Sequence, residues 1–182
     1  AVERIRQAIE EGQTIAVFGD YDRDGITSTA ILHSYFEMMG ARVYFYIPSR
    51  ETEGYGLNMK AIDELKNLGV DLIVTVDNGI SAIDEVAHAA ALGIDVIVTD
   101  HHQPREVLPS AVAVLNPRRA DCPYPFKALS GAGVAFKLVS ALEDDIGYDT
   151  LEHFSDLLAI GTVADVVSLT GENRLFVRHG LT

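Results

Sequence analysis

With 182 residues, 48% of them apolar and 23% charged, the chain is long enough for one sizeable core and too apolar for disorder. Its single cysteine, Cys122, excludes a disulfide framework and a cysteine-rich zinc site. The 27 acidic residues outnumber the 14 basic ones, a net charge of −13. That argues against a general nucleic-acid-binding face, although carboxylates gathered around cations would account for part of the excess.

No stretch is long and apolar enough to span a bilayer, and the N-terminus lacks a signal-peptide pattern. A cytoplasmic location and no membrane partner are therefore expected. The chain starts at Ala1 within a helical pattern and stops at Thr182 within an apolar-patterned segment, as a piece of a longer protein would.

Residues 1–11 place Val2, Ile5 and Ile9 at helical spacing, and Gly12 is a natural stop. Thr14 to Phe18 form a strand that ends abruptly at Gly19. Asp20, Asp22 and Asp24 follow at alternate positions, and the helix after them is expected over 26–39. The β-branched and aromatic run 42–47 is a strand closed by Pro48, and a polar, glycine-bearing loop leads to a helix over 58–68. Strands at 71–76 and 95–99 bracket the turn Asp77-Asn78-Gly79 and a helix over 81–92. The second of these strands runs into Asp100-His101-His102, and a short strand over 111–115 runs into Asn116-Pro117. From about Ser130 the chain turns helical.

Strands rich in Val and Ile that alternate with helices specify an α/β fold: a parallel five-stranded sheet covered by helices on both faces, Rossmann-like. We expect a single domain over 1–182, with a sheet portion over 1–128 and a helical portion over 129–182. Parallel strands with right-handed crossovers bring their C-terminal ends to one edge, where open α/β sheets bind ligands. Asp20 to Asp24, Asp77 and Asp100 to His102 each follow a strand, so all three turns share that rim.

Any one of these turns is explained by helix capping or loop propensity. Their conjunction is not. Carboxylates crowded together repel, and a divalent cation relieves that repulsion. An oxygen-rich set with an imidazole suits Mn²⁺ or Mg²⁺, and the number of ligands is enough for two ions. Ser130 and Gly131 open a helix with small residues, where backbone N–H groups either approach a phosphate or allow close packing on the sheet. Arg50, in the loop after the second strand, lies on the ligand rim, where a guanidinium can pair with a phosphate.

GDYDRDG, VDNG, DHH and GTVADV stand in this order and resemble the four motifs of the DHH phosphoesterase superfamily. The DYDxDG opening is similar to the RecJ branch rather than to the His–Asn–Pro–Asp opening of nano-RNases, exopolyphosphatases and family II pyrophosphatases. PSRETEGYGLN, LNPRRADCPYPFKALSGAGVAFKL and GTVADVVSLTGENR extend the resemblance over nearly the whole chain.

The resemblance implies the catalytic domain of a 5′-to-3′ exonuclease on single-stranded DNA, with two Mn²⁺ or Mg²⁺ ions. It implies metal ligands at Asp22, Asp24, His101 and Asp165, with Asp77 bridging the ions. It places His102 at the scissile phosphate, Asp100 as the partner that orients a histidine, and Arg50 near the DNA 5′ phosphate. Asp20 belongs to the first motif without being required as a ligand. Two departures stand out. Arg23 occupies a position that is commonly Val or Ala in the branch, so its guanidinium either pairs with Asp22 or Asp24 or points away. The branch's further C-terminal domains, expected partners in holding the strand, are absent from this sequence, so weak DNA binding and low activity are expected of it. Two other readings are a phosphodiesterase acting on short oligonucleotides or cyclic dinucleotides, and a catalytically silent scaffold module.

Overall fold

The computed structural model describes residues 1–145 and 149–182. Five parallel strands, β1 (Thr14–Phe18), β2 (Arg42–Tyr46), β3 (Leu72–Thr75), β4 (Asp95–Thr99) and β5 (Ala113–Leu115), lie in the order β2-β1-β3-β4-β5. Helix α1 (Val2–Glu10) precedes the first strand, α2 (Arg23–Met38), α3 (Met59–Asn67) and α4 (Ile83–Ala91) join successive strands from β1 to β4, and α5 (Gly131–Leu142), α6 (Asp149–Ala164) and α7 (Gly171–Gly180) follow the sheet.

Alternation along each strand decides which core its side chains enter. Ile15, Val17, Leu72, Val74 and Ile97 point to the face covered by α1, α2, α5, α6 and α7. Ala16, Phe18, Ile73, Val96 and Val98 point to the opposite face, covered by α3 and α4. Both faces are therefore closed, which explains why the central strands read as unbroken apolar runs. The expected α/β sheet is the one found.

The chain runs from β1 outward to edge strand β2 and then returns to place β3 on the other side of β1. Strand order therefore reverses between β1 and β3, the position where such sheets open a crevice at their C-terminal ends. One boundary departs from expectation with consequence. Helix α2 begins at Arg23 rather than at 26, because the Asp22 carboxylate caps it by accepting from Gly25 N at 2.8 Å. Asp24 thus stands in the first helical turn and is buried, whereas Asp22 stays exposed.

Candidate metal centre

The turns after β1, β3 and β4, together with the C-terminus of α6, converge at the switch point. Asp24, Asp77 and Asp100 are each 1% exposed and His101 is 4% exposed, so the centre is sunk beneath the rim. His101 is its hub. Its Nε2 lies 3.0 Å from Asp77 Oδ1 and 3.8 Å from Asp24 Oδ2, and its Nδ1 lies 3.6 Å from Asp165 Oδ2. His101 Nδ1 and Nε2, Asp77 Oδ1 and Asp165 Oδ2 are all buried and make no hydrogen bond. Buried polar atoms rarely go without partners, and four aimed at one another are what a bound cation satisfies.

Ligand atoms fall within 4.8 Å of one another in three sets: Asp24, His101 and Asp165; Asp77, His101 and His102; and Asp20, Asp22 and Asp77. Asp77 therefore belongs to two of the sets, one with His101 and His102 and one with Asp20 and Asp22. Asp20, which the sequence reading leaves as support, stands with Asp22 and Asp77. Its Oδ1 accepts from Tyr21 N at 2.8 Å.

Charge crowding is visible in the acids. Burial first, then Asp24 and Asp22, pushes the Asp77 carboxyl far above the usual range. Burial raises Asp24 to about 6, even though Ala132 N and Gly131 N donate to it. Asp165 and Asp20 are also raised, mainly by burial. Each of these carboxylates would be easier to ionise with a cation beside it.

Asp100 behaves differently. Its Oδ2 accepts from Ile80 N at 2.9 Å; its Oδ1 accepts from His101 N at 2.7 Å, His102 N at 3.0 Å and His102 Nδ1 at 2.7 Å. Burial works against its ionisation, but these bonds hold its carboxyl below the usual value. The same Asp100 bond raises the His102 imidazole to about 9, against the opposing effect of burial. Asp100 thus orients a charged His102, whose side chain is 46% exposed at the rim.

Ser130 and Gly131 do not face outward. Gly131 N donates to Asp24 Oδ2 at 2.6 Å and Ala132 N to Asp24 Oδ1 at 2.9 Å, so the start of α5 grips a carboxylate of the protein itself. The Ser130 side chain is fully buried; its Oγ accepts from Gly133 N at 3.1 Å and meets Thr162 Oγ1 at 3.2 Å. The expected phosphate contact at Ser130 and Gly131 is thereby corrected, because the donors are used inside the fold. A Cβ on Gly131 would stand 2.6 Å from Asp77 Oδ1, and one on Gly161 would stand 2.8 Å from Asp24 Oδ1. Only glycine permits these approaches.

Arg23 is exposed and forms no ion pair with Asp22 or Asp24, so of the two orientations open to it the outward one is found. Arg50 stacks its guanidinium over the Tyr21 ring at 5.5 Å, beside the first motif. The sequence reading overlooks Tyr55. Its hydroxyl donates to the Asp77 carbonyl at 3.0 Å and lies 3.3 Å from His102 Nδ1, bridging two of the turns. Asp77 has φ +60°, a left-handed conformation that costs about 1–2 kcal/mol for a residue with a Cβ. The Tyr55 bond helps to hold it there.

The description "DHH family, N-terminal domain" matches residues 14–162. The chain belongs to the DHH family. Aligned over its whole length, it is 48% identical to the single-stranded-DNA-specific exonuclease RecJ of Bacillus subtilis, of which it covers 22%. It superposes on the crystal structure of an exonuclease RecJ bound to manganese with a TM-score of 0.89 and 41% identity, covering 99% of this chain and 46% of that one. A RecJ structure from Thermus thermophilus in complex with Mg²⁺ aligns with a TM-score of 0.65 and 33% identity, over 99% of this chain and 22% of that one. Among DHH relatives of known structure, then, RecJ proteins bind these two metals. The chain spans about a fifth to a third of the length of the curated RecJ relatives it matches. Among the described residues, no helix is long and apolar enough to cross a membrane.

Proposed function

We propose that this domain carries the two-cation centre of an exonuclease that degrades single-stranded DNA from the 5′ end and releases 5′-mononucleotides. The process served would be DNA repair and recombination. The observation that carries the reading is Asp77, whose buried carboxylate belongs to two ligand sets, one with Asp20 and Asp22 and one with the histidines, while His101 links it to Asp24 and Asp165. Asp22 and Asp77, with Asp20 adjoining, would hold one ion; Asp24, Asp77, His101 and Asp165 would hold the other. Oxygen-rich ligands with one imidazole suit Mn²⁺ or Mg²⁺. Bound there, the ions would supply Lewis-acid charge to the phosphate and lower the pKa of an attacking water.

The remaining work falls to side chains. His102, held by Asp100 through Nδ1 and charged at neutral pH, would donate from Nε2–H to the phosphate or to the departing 3′ oxygen. Tyr55 fixes Asp77 and His102 relative to each other. Arg50, on the rim beside Tyr21, meets the 5′ phosphate. The names of the RecJ relatives and the two metals in their structures support this assignment. With a net charge of −13, the chain would hold the strand weakly, and further domains would complete the DNA track.

The test is Mn²⁺-dependent release of mononucleotides from an end-labelled single strand, with the native protein compared to Asp77→Asn. The substitution should lower the rate by at least about two orders of magnitude, as for loss of a group that organises transition-state charge. Near-native activity would refute the ligand assignment. Running dinucleotides and cyclic dinucleotides in parallel separates the exonuclease from a small-substrate phosphodiesterase.

A further inference from the structure

Beyond the metal centre, the rim continues to β5, and the loop after that strand carries cations. Gln103, Arg118, Arg119 and Lys127 line a concavity next to the turn that bears His101 and His102. The loop is tied to that turn. Asn116, 3% exposed, donates from Nδ2 to the His102 carbonyl at 2.8 Å and accepts from Arg118 N on Oδ1 at 2.8 Å. One buried amide thus sets the place of Arg118 relative to His102. Arg118 is also close enough to Asp165 for their charges to interact.

The cations in the concavity differ in what they are free to do. The Arg119 guanidinium is taken up by both carboxylate oxygens of Asp121 and by the Val114 carbonyl, so it holds the loop. Lys127 Nζ donates to the Cys122 carbonyl at 2.7 Å and keeps its other protons. Arg118 is exposed, and among the described residues its guanidinium makes no hydrogen bond or ion pair. Its backbone is anchored through Asn116, while its guanidinium stays unpaired within electrostatic reach of Asp165. Its planar fork matches a phosphate.

Topology gives the direction. The rim runs in the order Arg50 after β2, the acids after β1 and β3, the histidines after β4, and Arg118 after β5. β5 is the neighbour of β4, so the loop that bears Arg118 adjoins the turn that bears His102 and is tied to it through Asn116. We infer that Arg118, with Lys127 beside it, binds a second backbone phosphate of a single strand, on the β5 side of the metal centre. This deepens the function proposed above and rests on it for the identity of the strand. The strand then crosses the rim roughly perpendicular to the β-strands, with the scissile phosphate at the metal centre and a phosphate further along the chain at Arg118.

The test uses binding without turnover: a fluorescent eight-nucleotide thymidine strand titrated in Ca²⁺ at several salt concentrations. Each phosphate contact contributes about 0.7 to the slope of log affinity against log salt for single strands. Arg118→Gln should reduce that slope by about 0.7, while Arg178→Gln, an equal charge change at an exposed position on α7, should leave it unchanged. The melting temperature should be the same in all three proteins. An unchanged slope, an equal loss in both variants, or no strand binding by the native chain at low salt overturns the inference. A chain that binds the strand through Arg118 but hydrolyses nothing would defeat the nuclease reading and leave this one standing. Hydrolysis with an unchanged slope would do the reverse.

Discussion

His102 is the residue whose chemistry depends most on a neighbour. Its imidazole is held near 9 because Asp100 accepts from Nδ1 and carries the opposite charge. In metal-free Asp100→Asn, the His102 midpoint followed by NMR should fall to roughly 6.5, the unperturbed value. A midpoint that stays near 9 would mean the charge is held by the other acids.

Val166 presents a different single-residue problem. It is 86% exposed and β-branched, yet has φ +59° directly after Asp165, where α6 has ended. That conformation costs about 1–2 kcal/mol. Val166→Asn, which tolerates the left-handed region and loses no packing, should stabilise the fold by about 1 kcal/mol in urea unfolding. No gain would mean that the turn carries no such strain.

Residues of this kind differ in how far the sequence discloses them. Asp22, Asp77 and His101 announce themselves by following strands, and Asp165 only through a motif. Tyr55 sits in a glycine-bearing loop, and nothing local reveals that its hydroxyl reaches Asp77 and His102 across the rim.

Among the elements, the grip of α5 on Asp24 couples the helical portion to the sheet. Two N–H groups at the start of α5 hold the carboxylate, and α6 passes so close that Gly161 leaves no room for a side chain. A Cβ there would stand 2.4 Å from Thr27 Oγ1 and 2.7 Å from Ala132 Cβ. Gly161→Ala should therefore destabilise the fold by about 1–3 kcal/mol and weaken Mn²⁺ binding at the same time. Native stability and metal affinity in that variant would contradict the packing argument.

The strand pattern and the two-faced core are legible from apolar runs that alternate with helices. The start of α2 is not, because one capping hydrogen bond moves it by three residues and carries Asp24 from the turn into the helix. Nor is the role of Ser130 and Gly131. A small-residue helix start offers donors to any anion, and only the tertiary fold shows that the anion is Asp24.

For the whole molecule, the centre makes stability depend on both protons and metal. Asp24, Asp77 and Asp165 have raised values, so the folded state holds their protons more tightly than the unfolded one does. Their contribution is therefore lost as pH rises from about 4 through the raised values. The raised His102 value acts in the same direction: its contribution is complete below about 6.5 and lost as pH rises through about 9. Metal-free protein should melt at a lower temperature at about pH 8.5 than at about pH 5.5, and the gain from saturating Mn²⁺ should grow with pH as ligand protons are displaced. An equal gain at both pH values would mean that these acids do not hold the metal.

Whether Asp77 joins two cation sites into one centre is tested most directly by calorimetric Mn²⁺ titration. Two ions should bind to the native chain, one should be retained in Asp165→Ala, and neither site should be intact in Asp77→Ala. A native stoichiometry of one, or two ions persisting in Asp77→Ala, would contradict a shared centre.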